Sequence, residues 1–99
     1  MTRYALRVDA NQRQIISALE AAGAQVDVIG KPVDLLVGKH GRWMLMECKD
    51  GSKVKSAQEL TPAQKKFFAR WEGYPFSTVD GPESALRALS VLVNSVVIA

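Results

Sequence analysis

Apolar residues in the first third of the chain recur three and four positions apart, which is the spacing of one face of an α-helix. They are Ile15, Ile16, Leu19 and Ala22. Asp9 or Asn11 is suited to cap the start of such a helix, and Gly23 is suited to end it. The pattern therefore predicts a first helix from about Asn11 to Ala22.

Three short apolar segments follow, and turn-forming residues separate them. They cover residues 25–29, 34–38 and 43–49. Gly30 and Pro32 close the first segment, and Asp50 with Gly51 ends the third. The polar sequence 39–42 joins the second segment to the third. These segments predict three β-strands, of which the second and third form a hairpin.

The second half of the chain begins with a polar, lysine-bearing segment at 51–59 and then shows a strong helix start. Thr61 is suited to the N-cap, Pro62 to the first helical position, and Gln64 to a capping box. We expect this helix to stop at Gly73 and to point three aromatic residues inward. They are Phe67, Phe68 and Trp71.

A fourth strand at 76–79 and a last helix opened by residues 80–83 complete the order α-β-β-β-α-β-α. This order predicts an α/β fold of the α+β type, with a mixed sheet flanked by helices. The 99 residues suit one domain spanning 1–99, and 47% hydrophobic residues exclude disorder.

The sequence also carries expectations about the cellular compartment. No apolar stretch follows Met1 as a secretory signal would require, and the apolar run Leu89–Ile98 is broken and too short to cross a membrane. A single cysteine, Cys48, forms no intrachain disulfide. We therefore expect a cytoplasmic protein that does not contact a membrane.

The distribution of charge is more informative than the net charge of +3. Eight basic and three acidic residues between Lys39 and Arg70 give that segment a local charge of +5. A basic half on a small domain suits a polyanion such as nucleic acid. On charge alone, a solvated lysine-rich surface explains the same pattern.

The predicted hairpin brings two carboxylates together. If its turn is centred between His40 and Gly41, Asp34 lies opposite Glu47, with Cβ atoms about 4.5–5.5 Å apart on one face. Two carboxylates so close repel each other unless a proton or a cation lies between them, and Mg²⁺ is the simplest such cation. A register slip of one residue would move Asp34 to the opposite face.

Lys49 follows Glu47 by two residues and therefore shares its face. An ammonium beside a metal held by carboxylates suits phosphodiester hydrolysis. The alternative is a solvent-facing polar stripe with a cross-strand ion pair. Because Leu36, Trp43 and Leu45 lie on the same face, we expect a helix to cover it, and charges at the end of a covered face favour a functional site.

Four segments, 7–12, 32–37, 47–51 and 60–64, carry a resemblance to a known family. The chain resembles the PD-(D/E)XK nuclease superfamily, and within it the small phage and bacterial proteins of VRR-NUC type. The resemblance extends from about Arg7 to Leu89 and leaves an apolar extension at 90–99. The Asp…Glu-X-Lys signature alone is weak, whereas its placement across one hairpin before Leu-Thr-Pro-X-Gln is more specific. The pattern departs from the commonest form at Val33, which separates Pro32 from Asp34.

The resemblance implies a restriction-endonuclease-like αβββαβ core and cleavage of DNA phosphodiesters that depends on Mg²⁺ or Mn²⁺. Asp34 and Glu47 would hold the metal, and Lys49 would assist the nucleophilic water. It also implies the cytoplasm of a bacterial or phage-infected cell. Gln64 matches a helix glutamine that faces the site in several relatives, although a capping box explains it equally well.

Relatives often place an acidic or amide residue of the first helix near the metal. Asp9, Asn11, Gln12 and Glu20 are the candidates here, and Glu20 is the one we single out as a further metal ligand. A helix cap or an exposed side chain explains each of them taken singly. Five basic residues flank the centre in sequence and are predicted to bind DNA phosphates. They are Lys53, Lys55, Lys65, Lys66 and Arg70.

Other conspicuous residues have ordinary explanations. His40 lies in a predicted turn and is expected at the surface. Trp43 and Trp71 could stack on bases, but we expect both to pack in the interior, as we do Cys48. The apolar residues 90–99 either extend the last helix over the core or form a dimer contact.

Three hypotheses follow for the function. The first is a metal-dependent endonuclease acting on DNA. Such an enzyme could act as a homodimer or with a partner protein that supplies specificity. The second is a nucleic-acid-binding module of the same fold that performs no chemistry. The third is a dimeric interaction protein. The intact set Asp34, Glu47 and Lys49 favours the first over the second.

Overall fold

A computed structural model describes residues 9–50 and 59–94, which form an α+β domain with three helices and a four-stranded mixed sheet. The order of elements is the predicted one, and no boundary is shifted by more than three residues. The elements are α1 (Ala10–Ala21), β1 (Gln25–Val28), β2 (Leu35–Lys39), β3 (Arg42–Cys48), α2 (Pro62–Arg70), β4 (Phe76–Val79) and α3 (Pro82–Asn94). Within these ranges, no helix has the length and apolar character needed to cross a bilayer.

The strands lie in the order β1-β2-β3-β4. The first three form an antiparallel meander, and β4 runs parallel to β3. The parallel pair requires a crossover, which contains α2. The ends of β3 and β4 therefore lie side by side, next to the start of β2.

The β2–β3 turn consists of His40 and Gly41 alone, because Lys39 pairs with Arg42. Both turn residues have positive φ, 55° and 77° respectively. This is the backbone of a tight two-residue hairpin turn, whose twist matches that of the flanking strands. The turn fixes the register of the hairpin, and that register is the predicted one.

The main core lies between one face of the sheet and helices α1 and α3. Alternate residues of β2 and β3 point to this face, as the strand period of two requires. Apolar positions of both helices at i, i+3, i+4 and i+7 pack against them. Burying one large apolar side chain stabilises the fold by about 1.5–3 kcal/mol. The fully buried side chains of this core include Ile15, Leu19, Leu35, Val37 and Met46. Cys48, which was expected in the interior, is partly buried and packs against this core.

Among the described residues, α2 covers the opposite face of the sheet on the β4 side. Phe68 of α2 stacks on Phe76 of β4, with ring centroids 3.7 Å apart, and Phe76 pairs with Leu45 of β3. The expectation that a helix covers this face therefore holds beside β4 and is wrong at Trp43. Trp43, which lies farther along β3 on the same face, has 44% of its surface exposed.

The two tryptophans are consequently not interior residues, and their predicted packing is wrong. The partner of Trp43 across the ladder is Gly38, which has no side chain to pack against the indole. Trp71 follows the last helical residue of α2 and has 36% of its surface exposed. Tyr74 covers part of it in an edge-to-face contact. Apolar character alone predicts burial, but burial also requires a neighbour to pack against.

Candidate metal centre

Asp34 immediately precedes β2 and is held by three backbone N–H groups. Its carbonyl oxygen accepts hydrogen bonds from the N–H groups of Ile29, at 2.9 Å, and Gly30, at 3.2 Å. Its carboxylate Oδ2 accepts from the N–H of Cys48 at 2.8 Å. β2 was predicted to begin at Asp34 but begins at Leu35. Asp34 therefore lies just outside the β2–β3 ladder, and its carboxylate accepts from the N–H of Cys48, which also lies beyond the last pair of that ladder.

Glu47 and Lys49 form an ion pair beside this carboxylate. The Lys49 Nζ lies 3.3 Å from Glu47 Oε2, and the two side chains are only 14% and 8% exposed. Lys49 also donates its backbone N–H to the Val79 carbonyl at 2.8 Å, which fixes it against β4. The predicted trio Asp34, Glu47 and Lys49 is therefore brought together at one end of the sheet.

One oxygen of this group lacks a partner. Glu47 Oε1 is buried, and among residues 9–50 and 59–94 no group donates a hydrogen bond to it. An unpaired carboxylate oxygen shielded from water is costly, because the group loses hydration without compensation. A buried oxygen of this kind suits a bound cation.

The pKa of Asp34 records the proximity of the two carboxyl groups. Several causes together raise this pKa from 3.8 to about 6; burial is the largest, and the Cys48 N–H opposes it. Glu47 contributes to the rise, because its charge repels that of Asp34 and because a protonated Asp34 donates a hydrogen bond to it, whereas the Lys49 ammonium lowers the pKa. The two carboxyl groups therefore interact directly, and one ammonium does not fully compensate them.

Cys48 lies between Glu47 and Lys49 in the sequence, but its thiol takes no part in the centre. Burial raises the pKa of its thiol to about 12, and the carboxylates of Asp34, Glu47 and Asp9 raise it as well. The thiol therefore stays protonated at neutral pH and is neither a nucleophile nor a thiolate ligand. Cys48 was interpreted from the sequence as a packing residue, and its contact with the core agrees with that role.

The start of α1 lies next to the centre. Asn11 Nδ2 donates to the carbonyl oxygens of Lys49, at 3.0 Å, and Asp80, at 3.3 Å. It thereby ties α1 to the ends of β3 and β4. Asp9 is the N-cap, since its Oδ1 accepts from the Gln12 N–H at 2.8 Å. Sequence reasoning gave no sign of the Asn11 bridge, because it joins residues 38 and 69 positions apart.

Of the candidates on α1, Gln12 is buried, whereas Glu20, the residue expected to bind metal, is exposed. Gln12 is 5% exposed, and its Nε2 has no hydrogen-bond partner among the described residues. Its spacing to Ile15 and Leu19 places it on the buried stripe of α1, a signal that the sequence contained. Glu20 is exposed and lies roughly 13 Å along the helix from Asn11 at 1.5 Å per residue. The structure does not bring Glu20 to the centre.

Gln64 forms the predicted capping box and one contact more. Its backbone N–H donates to Thr61 Oγ1 and its Oε1 accepts from the Thr61 N–H. Its Nε2 donates to the Pro32 carbonyl at 3.2 Å, two residues before Asp34. Gln64 therefore links α2 to the segment that carries Asp34.

The predicted DNA-binding residues divide into two groups. Lys65, Lys66 and Arg70 are exposed on α2. Lys53 and Lys55 lie outside the described residues. His40 is exposed in the turn, as predicted.

The donor set of the centre consists of two carboxylates. The described residues contain no group of three or more His, Cys, Asp or Glu side chains placed to hold a metal ion. Two carboxylates still match the one or two protein ligands with which Mg²⁺ is usually bound, water and phosphate oxygens completing its shell. The unpaired Glu47 Oε1 is the observation that fits such an ion.

No protein-family model, curated protein or solved structure matches this chain. Any functional assignment therefore depends on its own residues and their geometry.

Proposed function

We propose that this protein is a nuclease that hydrolyses DNA phosphodiester bonds with Mg²⁺ or Mn²⁺ at Asp34, Glu47 and Lys49. The observation that carries the proposal is the unpaired, buried Glu47 Oε1. It lies in a cluster where a second carboxylate and an ammonium meet. The ion pair of Glu47 with Lys49 accounts for neither the second carboxylate nor the oxygen that lacks a donor when Asp34 is ionised.

The fold supports the same assignment. The order of helices and strands agrees with the restriction-endonuclease-like core that the family resemblance implies. The hairpin register brings together the three residues of its signature. Because an arbitrary Asp…Glu-X-Lys pattern would not produce this convergence, its agreement with the fold raises the value of the signature.

Each residue of the centre has a distinct task in this proposal. A bound dication would polarise the scissile phosphate and lower the pKa of a water molecule. Asp34 and Glu47 would hold it; the Cys48 N–H orients the Asp34 carboxylate, and the N–H groups of Ile29 and Gly30 fix the Asp34 backbone. Lys49 orients the attacking water or neutralises charge that develops on the phosphoryl oxygens. The exposed bases of α2 would contact the DNA backbone, which favours binding irrespective of sequence.

A cleavage assay with matched variants tests the proposal. Supercoiled, linear, single-stranded and branched DNAs are incubated with Mg²⁺, with Mn²⁺ and with EDTA. We expect cleavage only with a dication, and we expect Lys49→Ala to abolish it while retaining most DNA binding. Arg87→Ala removes the same charge from an exposed ion pair on α3 and should cleave normally.

Two results would contradict the proposal. DNA binding in EDTA with no cleavage of any substrate under either metal would favour the binding module. The absence of salt-dependent DNA affinity, together with a stable dimer, would favour the interaction protein. Circular dichroism of each variant verifies that a loss of cleavage is not a loss of fold.

A further inference from the structure

A groove runs along the sheet face that carries the candidate centre, on the side away from β4. Its volume is about 430 Å³, and it is lined by residues of β1, β2, β3 and the β2–β3 turn. Gln25, Gly38 and Trp43 form one cross-strand row of this face, and Asp27, Leu36 and Leu45 form the next. Side chains two residues apart on a strand share a face, so the next row of this face contains Asp34 and Glu47.

Trp43 gives this groove an exposed aromatic surface. It is 44% exposed, and its cross-strand partner Gly38 leaves the space beside the indole free of side chain. A Cβ on Gly38 would lie 3.3 Å from the Arg42 carbonyl oxygen, so this row has little room for a larger residue. An exposed indole on a sheet face, next to a residue with no side chain, is suited to a flat ring stacking on it.

The groove also carries the polar groups that a nucleotide requires. Gln25 and Asp27 are exposed and present an amide and a carboxylate, which hydrogen-bond to base edges. At the turn end of the groove, the Lys39 ammonium is held by the Ala22 carbonyl. The Arg42 guanidinium bonds to the Leu92 carbonyl of α3 on the opposite face of the sheet and therefore adds no charge to the groove. The exposed indole is the feature that this groove shares with single-strand binding sites, where bases stack on aromatic side chains.

From these observations we propose that the groove is a binding subsite for an unpaired nucleobase of the substrate, stacked on Trp43. This inference rests on the proposed nuclease function and narrows it to DNA with single-stranded or unpaired nucleotides. Trp43 and Glu47 lie four residues apart on β3, about 13 Å at 3.3 Å per residue. The bound base would thus lie a few nucleotides from the phosphate at the centre. A base inside a duplex is stacked on both sides and cannot take this position.

Fluorescence titration isolates the indole. In a Trp71→Phe background Trp43 is the sole tryptophan. A short DNA single strand is titrated in EDTA, where no cleavage occurs. We expect quenching of Trp43, and about tenfold weaker binding of the same strand with abasic sites, which keeps every phosphate but lacks bases. Blunt duplex DNA should quench little.

Substitutions separate stacking from packing. Trp43→Leu should weaken single-strand binding by about tenfold, and Trp43→Phe should recover part of it, because a benzene ring still stacks. Trp71→Leu removes the other exposed tryptophan and should change binding less than twofold, about the scatter expected for a distant site. Because Trp43 lies at the surface, these variants should retain the wild-type circular dichroism spectrum.

The outcomes distinguish this subsite from the nuclease proposal. Equal affinity for the intact and abasic strands would overturn the subsite, even if cleavage is normal. Sedimentation showing that Trp43→Leu converts a dimer to a monomer would overturn it too, since a second copy would then cover the indole. Quenching that persists in a protein unable to cleave any DNA would support the subsite and contradict the nuclease.

Discussion

Replacing Asp34 by asparagine should stabilise the protein in the absence of dications. At neutral pH the wild type holds Asp34 as a partly buried anion, which loses hydration and is repelled by the neighbouring Glu47 carboxylate. An asparagine keeps an oxygen that accepts the Cys48 N–H and presents an N–H₂ group to Glu47. The variant therefore loses the repulsion and keeps the hydrogen bond that fixes the end of the hairpin.

The magnitude follows from the pKa of Asp34. Because this pKa rises from 3.8 to about 6 on folding, the folded protein retains a proton that the unfolded chain releases between these values. Without a dication, stability therefore decreases as the pH rises through that range and remains lower above it. The full shift corresponds to about 3 kcal/mol. Since the side chain is only partly buried, solvent screens part of it, and we expect roughly 1–2 kcal/mol for Asp34→Asn.

Thermal unfolding at two pH values measures this effect. In EDTA at neutral pH, Asp34→Asn should raise Tm by roughly 5–10 °C, as expected for a domain of this size. At a pH below 3.8, where Asp34 is protonated in both the folded and the unfolded chain, the difference should nearly vanish. Added Mg²⁺ should raise the Tm of the wild type at neutral pH, but not that of the variant. Asp27→Asn, which neutralises an exposed carboxylate on the same face, should change stability by no more than about 0.5 kcal/mol.

Two results would refute the reasoning. A variant less stable than the wild type in EDTA at neutral pH would mean that the Asp34 charge stabilises the fold, so that the Lys49 ammonium outweighs Glu47. Equal stabilisation of both proteins by Mg²⁺ would mean that the ion binds elsewhere.

The remaining predictions concern the residues around this carboxylate. Lys49→Met should destabilise the protein by about 3 kcal/mol in urea unfolding, because it leaves Glu47 charged and unpaired. Adding Glu47→Gln should restore most of this stability. A double variant no more stable than Lys49→Met would contradict the prediction. Asn11→Ala removes two hydrogen bonds and should cost about 1–2 kcal/mol, with a lower kcat and an unchanged KM if it positions Lys49. Gln64→Glu should lose only the donor to the Pro32 carbonyl. Gln64→Ala also loses the oxygen that accepts from the Thr61 N–H, so unfolding should show that it costs about 1 kcal/mol more. The Cys48 thiol, with a pKa of about 12, should react with a disulfide reagent at pH 8 far more slowly in the folded protein than in urea.

The local signals of the sequence were sufficient for the elements and for the hairpin. The capping box at Thr61 and Gln64 involves residues three positions apart, and the His40-Gly41 turn sets its register within four residues. Once that register is fixed, the period of two puts Asp34, Glu47 and Lys49 on one face. These features depend on short-range backbone geometry, which is why residue patterns predicted them.

The chain by itself thus determined its helices, its strands and the meeting of three charged groups. Only the tertiary structure decided what surrounds them. Whether Trp43 is buried depends on where α2 packs, and α2 covers the β4 side of the face. The Asn11 bridge and the burial of the Gln12 amide depend on how α1 docks against the strand ends. Docking is set by long-range packing of whole faces, a sum over many contacts that no local pattern contains.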